Sequence, residues 1–162
     1  MKLLLLFLSL TVLWSCETEG PKREETPTPF YNWAVDTTQM NGTAIRYNFP
    51  VVTQPEYRAA ELMDFPEDER MIITRFDDRI YVYPIRNMGI EVLNDAHNQH
   101  VFAVSYCPIT ESAMVWNRKM NSDTITLAAS GLLYKEHLVL YDTTTLSLWS
   151  QMLIQVIHGD YI

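Results

Sequence analysis

Met71-Ile-Ile-Thr-Arg-Phe-Asp-Asp-Arg-Ile-Tyr-Val-Tyr-Pro84 is the stretch that decides the fold class. Met71 to Phe76 and Ile80 to Pro84 are rich in β-branched and aromatic residues, and Asp77-Asp78-Arg79 between them is a hairpin signal. The pattern continues downstream. Glu91 to Asn94 and His100 to Tyr106 flank a polar turn, Ala113 to Asn117 and Thr124 to Ala129 flank Arg118 to Asp123, and Leu132 to Tyr134 and Leu138 to Tyr141 flank Lys135-Glu136-His137. Strands spaced this closely, with no helical stretch of roughly 10 to 15 residues between them, predict antiparallel pairing. The expectation is a mainly β fold of the α+β class: an antiparallel sheet built from successive hairpins, with one or two short helices.

One helix is expected just upstream. Thr53-Gln-Pro-Glu56 has the form of a capping box with an early proline, and it predicts a short helix through Leu62 that Phe65-Pro66 ends. Phe30 to Pro50 is irregular, with Tyr31, Trp33, Tyr47 and Phe49 as anchors of an arm over the core. Ser147 to Ile157 fits two templates: Leu148, Met152 and Val156 lie at helical spacing, whereas Leu153, Val156 and Ile157 also suit a buried strand.

The start of the chain is a targeting segment. Lys2 precedes an apolar run from Leu3 to Trp14, too short for the ~20 residues that span a bilayer. Residues 1–15 read as a signal peptide, and Leu13-Trp14-Ser15-Cys16 resembles a bacterial lipoprotein processing site with Cys16 as the lipidated residue. Residues 16–29 follow as a lipid-anchored linker, since three prolines and many charges leave them no apolar periodicity. Residues 30–162 then form a single domain, long enough to bury a core. The expected location is the bacterial cell envelope, with the domain held to a membrane and facing the periplasm or exterior.

The formal charge is −8, and loss of Lys2 with the leader makes the body more acidic. Its basic residues are scattered, which argues against nucleic acid as a partner and leaves membrane attachment to the lipid. If Cys16 is acylated, Cys107 is the one remaining thiol and no intramolecular disulfide can form.

The chemistry-bearing block runs from Tyr106 to Gln151. Small, polar and aromatic residues are mixed there more tightly than a plain structural sheet needs, which marks a constructed site or an unusually polar core. Cys107 ends a predicted strand, and Pro108 places it at a corner; it is either a nucleophile or a small hydrophobe filling the core. His100, His137 and His158 are possible partners for a reactive thiol, and Met114 or Met120 would suit a Cu(I) site with it. No paired-ligand motif accompanies them, so no metal site is expected. Cys107-Pro-Ile-Thr110 lacks the second cysteine and the βαβ context of thioredoxin-like chemistry.

Tyr106, Ser130, Tyr134, Asp142, Trp149 and Gln151 are the candidate binding residues. Each also has a structural reading. Asp142 can accept backbone N–H bonds in the turn to Thr145, Ser130-Gly131 permits a close backbone approach, and Trp149 suits the core with its N–H on a buried partner. Trp33, Tyr31 and Trp116 could equally form a stacking platform or pack. G-x-S-x-G, phosphate loops and dinucleotide fingerprints are absent, so no cofactor is expected.

Six segments in order resemble the bacterial and archaeal family known as domain of unknown function 3179: Tyr83-Pro84, Glu91 to Asp95, Val104 to Ile109, Ser130 to Tyr134, Leu138 to Asp142 and Ser147 to Gln151. The resemblance covers about Met71 to Ile157 and extends weakly upstream to about Asn41. It implies a shared fold and an exported setting, and carries no activity with it. Thr110 and Ile90 stand where the family pattern has a second cysteine and a histidine, so a cysteine or cysteine-histidine metal site is not implied here. The family pattern also continues beyond Gln151, which implies a C-terminally shortened domain. The functional expectation is a non-catalytic binding or interaction module of the envelope, with an unknown envelope ligand or protein as partner. The alternative is a cysteine-dependent activity at Cys107, by thiol chemistry or soft-metal handling.

Overall fold

The computed structural model describes residues 33–44, 48–89 and 91–162. The leader, Cys16 and the linker lie outside the described residues, as do Tyr31, Tyr47 and Ile90. In chain order the strands are β1 (Met40–Gly42), β2 (Val52–Thr53), β3 (Met71–Phe76), β4 (Arg79–Pro84), β5 (Val92–His97), β6 (His100–Cys107) and β7 (Ser112–Asn117). They continue with β8 (Lys119–Met120), β9 (Asp123–Thr124), β10 (Leu127–Tyr134), β11 (His137–Asp142), β12 (Leu148–Ser150) and β13 (Gln155–His158). The helical content of the described residues is three short 3₁₀ turns, at Thr37–Gln39, Ala60–Leu62 and Ile85–Asn87.

Two larger sheets carry the fold, in the orders β1-β10-β11-β12-β13 and β2-β5-β6-β7, with the β3-β4 and β8-β9 ribbons beside them. Successive side chains of a strand point to opposite faces, and each large sheet is covered on both. Ala103 and Cys107 of β6 meet Leu127, Ala129, Leu138, Leu140 and Trp149 of the other sheet in the seam between them. Phe102, Val104 and Tyr106, on the opposite face of β6, pack against Ile72, Tyr81 and Tyr83 of the β3-β4 ribbon. On the far side, Val139, Tyr141 and Ile157 are packed by Val35 and Met40 from the N-terminal arm. Burial on both faces explains why β6 and β11 are nearly continuously buried instead of alternating. Each core side chain of the size of Phe102 or Leu140 contributes roughly 1.5 to 3 kcal/mol of burial.

The antiparallel, mainly β expectation holds, and three hairpins form where the sequence places them: β3-β4, β5-β6 and β10-β11. Lys135 and Glu136 at the last turn both have positive φ, as a tight primed turn requires. The fourth hairpin differs. Strand β7 pairs with β6, so Ala113 to Asn117 does not pair with Thr124 to Ala129. Leu127 instead begins a long strand that runs through Ser130-Gly131 to Tyr134, bent by a bulge between Ala129 and Leu133. Gly131 takes φ 79 within the bulge, and a methyl group on Gly42 would collide with the Gly131 carbonyl oxygen, so the bulge and the approach of β1 both depend on glycine. Ser147 to Ile157 resolves to strands β12 and β13.

The helix expected from Thr53 to Leu62 does not form. Val52 and Thr53 pair in parallel with Leu93 and Asn94, the Gln54 N–H donates to the Asn94 carbonyl, and Gln54 has φ 55, outside the right-handed helical region. Proline at position 55 already disfavours helix at its predecessor, and pairing with β5 then takes up the backbone groups that a helix would have used. What remains is the single turn Ala60–Leu62.

Candidate functional site

Polar side chains in the seam between the two large sheets form a closed network. The Ser105 hydroxyl donates to Gln151 Oε1 (2.7 Å) and accepts from Trp116 Nε1 (2.8 Å), while Gln151 Nε2 donates to the Ser112 hydroxyl (2.9 Å) and carbonyl (3.1 Å). Ser105, Trp116 and Ser112 come from β6 and β7, and Gln151 follows β12, so the network ties one sheet to the other. Asn94 does the same on β5. Its Nδ2 donates to the Leu127 and Val52 carbonyls (2.8 and 3.2 Å) and its Oδ1 accepts the Leu127 N–H (2.9 Å), which lets a side chain substitute for a strand backbone.

Arg118, expected in a turn, is buried instead. Its guanidinium donates to three carbonyls, of Phe102, Ile125 and Asp95, at 2.8 to 3.1 Å. Burial lowers its pKa, opposed by the nearby Asp95 carboxylate.

The candidate residues read from the sequence do not converge on one place. Cys107, Trp149 and Gln151 face the seam, Tyr106 faces the opposite side of β6 toward the ribbon, and Tyr134 lies in the cluster under the N-terminal arm. Ser130 is fully buried, donates to the Val139 carbonyl (2.5 Å) and accepts the Leu132 N–H (3.0 Å), bridging the bulge. The Asp142 carboxylate accepts from the Thr145 N–H and hydroxyl (2.8 and 2.7 Å) and the Thr144 N–H (3.3 Å), holding its own turn.

Cys107 is fully buried, and its thiol donates to the Glu136 carbonyl (3.7 Å). Met114 and Met120 pack against the same cluster as apolar side chains, and no group of three or more metal-ligating residues occurs among the described residues. Trp149 departs from its expected role in one respect: its Nε1–H is buried with no hydrogen-bond partner among the described residues.

A different place is open to ligands, and the sequence did not point to it. A groove of about 1140 Å³ runs between Pro55–Glu61, Met63 and Phe65 on one side and the whole of β4 on the other, with Met88 and Leu93 also lining it. Tyr57 reaches across it. Its hydroxyl donates to the buried Asp95 carboxylate (2.5 Å), lies 3.0 Å from the Tyr83 hydroxyl, and its ring meets Tyr81 edge-on at 5.0 Å. Burial is the largest cause raising the pKa of both phenols, with Asp95 adding to it, and Tyr83 is pushed up to about 12. The cluster therefore stays uncharged on its tyrosines near neutral pH, which suits hydrogen bonding and stacking better than proton transfer. Glu56 and Glu61 are balanced in the lining by Arg58 and Arg79. The sequence pattern ends the strand at Asn94 and leaves Asp95 in a polar turn, whereas Asp95 lies within β5.

A second aromatic corner is smaller. His100 Nε2 lies 3.2 Å from Asp77 Oδ1 at the tip of the β3-β4 ribbon, and its ring packs on Phe76. Asp77 also accepts from Asn98, and these two bonds, from Asn98 and then His100, hold its pKa below the ordinary carboxylate range.

No curated protein and no solved structure matches the chain. A family model described as "Protein of unknown function (DUF3179)" matches residues 46–162, a span that takes in the seam network, the groove and every strand from β2 to β13. The chain belongs to the DUF3179 family.

Proposed function

We propose that this protein is a non-catalytic binding module of the bacterial cell envelope, attached to a membrane through a lipid on Cys16 and holding its ligand in the groove between the segment Pro55 to Phe65 and β4. The open, electrically balanced groove is the observation that carries this reading. Its walls combine apolar side chains with a few fixed polar groups, the usual make-up of a small-ligand or peptide site. Support for the location comes from the apolar run Leu3 to Trp14 ending at Cys16, followed by a proline-rich tether.

Dialysis of the full chain, in detergent, against an envelope extract, followed by native mass spectrometry, tests the binding reading. A species held by the native chain and lost in Ile80→Ser supports it. An unliganded spectrum, or a ligand retained equally by the variant, sinks it. Mass spectrometry of protein from native membranes tests the anchor, which fails if the mature N-terminus is unmodified or is a residue other than Cys16. The rival reading, cysteine-dependent chemistry, requires Cys107→Ala to abolish function with the fold intact; the burial of the thiol against a carbonyl supports the core role instead.

A further inference from the structure

Strand β4 lines the groove with every residue from Arg79 to Pro84 in succession. Only the edge of a strand does that, because a face presents alternate residues. The register identifies which backbone groups this edge offers. Phe76 pairs with Arg79 across a two-residue turn, so Phe76–Arg79, Thr74–Tyr81 and Ile72–Tyr83 are the pairs that exchange hydrogen bonds. The Ile85 N–H bond to the Arg70 carbonyl extends the same alternation by one more pair. The N–H and C=O groups of Ile80 and Val82 therefore point away from β3, and no backbone hydrogen bond joins them to Pro55–Phe65 across the groove.

We infer that the occupant of this groove is an extended, largely uncharged polypeptide segment that adds to β4 as a third strand of the ribbon. The inference rests on the groove being the binding site and names the class of ligand. Four backbone groups with no partner among the described residues, on residues two apart, are a template for strand addition. The side chains beside them fit an alternating sequence: Ile80 and Val82 stand on one face, with Ile80 62% and its neighbour Ile73 65% exposed, and Tyr81 and Tyr83 on the other, with Tyr57 above them. Because the charged residues of the lining balance, nothing in it selects a strongly charged partner. The opposite edge of the ribbon does not compete. No residue of β3 lines the groove, and Arg75 on that edge turns its side chain onto the Asp77 carbonyl.

The test uses the full chain in detergent and a phage-displayed library of random peptides as the probe, with enriched peptides synthesised for solution work. Strand addition requires that a bound peptide slow amide exchange at Ile80 and Val82 by about tenfold or more and leave Ile73 and Arg75 unchanged. N-methylation of one alternate set of peptide amides should weaken binding by about tenfold, and of the other set hardly at all. Val82→Pro removes an outward-facing N–H that the ribbon does not use, so it should keep the fold and lose the peptide; should it fail to fold, the N-methyl series decides. Peptides that bind the groove without protecting Ile80 and Val82 overturn strand addition and leave the binding-module reading standing. Protection of both amides in the free chain, by its own residues or by a second copy in a concentration-dependent dimer, also overturns it. So does an absence of enriched peptides while an envelope ligand is still lost in Ile80→Ser.

Discussion

The seam between the two large sheets and the groove along β4 are both rich in polar and aromatic side chains, yet they differ in what those groups still have to offer. In the seam, Ser105, Ser112, Trp116, Gln151 and Asn94 bond to one another or to backbone. Such a network rigidifies a core and has little left for a ligand. Along the groove, the Tyr57 hydroxyl is spent on Asp95 and pairs with that of Tyr83, but a strand edge is left without a partner among the described residues. Polarity alone does not mark a site; unspent hydrogen-bonding capacity next to open space does.

Removal of a seam residue should have the largest effect on stability. Asn94→Ala should cost about 3 to 5 kcal/mol, because it leaves the buried Leu127 N–H and carbonyl unsatisfied and removes a further bond to the Val52 carbonyl. Chemical denaturation should show a lower midpoint at unchanged m-value. Gln151→Leu should cost less, about 2 to 3 kcal/mol, since its volume is kept and Ser105 still accepts from Trp116. A ligand-binding role for Gln151 would instead appear as lost binding at unaltered stability.

Cys107→Ala should cost about 1 to 2 kcal/mol from a small cavity. Alkylation of the native thiol by iodoacetamide should be slow and should accelerate in step with unfolding; rapid labelling of the folded chain would reopen the reactive-cysteine reading.

Two further measurements sharpen the groove side. Tyr83 has its folded pKa raised from 10.0 to about 12, so the neutral phenol is favoured in the folded state. That stability is fully present below pH ~10, where both states are protonated, and is lost as the pH rises toward about 12. The denaturation midpoint should fall through this window, and Tyr83→Phe should flatten the slope. The smallest stability effect belongs to Ile80→Ser, within about 0.5 kcal/mol because the side chain is mostly exposed. If the same variant destabilised the fold strongly, Ile80 would be a packing residue and the groove wall would have to be redrawn.

Much of the strand layout was legible from local pattern. The β3-β4 turn at Asp77-Asp78 and the β10-β11 turn at Lys135-Glu136 join adjacent apolar runs, and a hairpin is decided by such short-range chemistry. The six segments resembling the family fall largely on buried strands and their ends. The polar block from Tyr106 to Gln151 was recognisable as unusual, but its two readings, site or polar core, differ only in whether another sheet lies over it. Alternation along β6 could show that Tyr106 and Cys107 face opposite ways, and it could not show that both sides are covered.

A mainly β, antiparallel protein with its hairpin turns and an acidic body could be read from local pattern, because periodicity, turn residues and charge are properties of neighbours along the chain. Long-range packing settled the rest. Pairing of Val52-Thr53 with β5 overrode a capping box, Arg118 moved from a turn into the core, and Tyr57 came to rest on Asp95 across 38 residues of sequence. These outcomes depend on which sheet packs on which, and so on contacts between residues far apart, which no local pattern encodes.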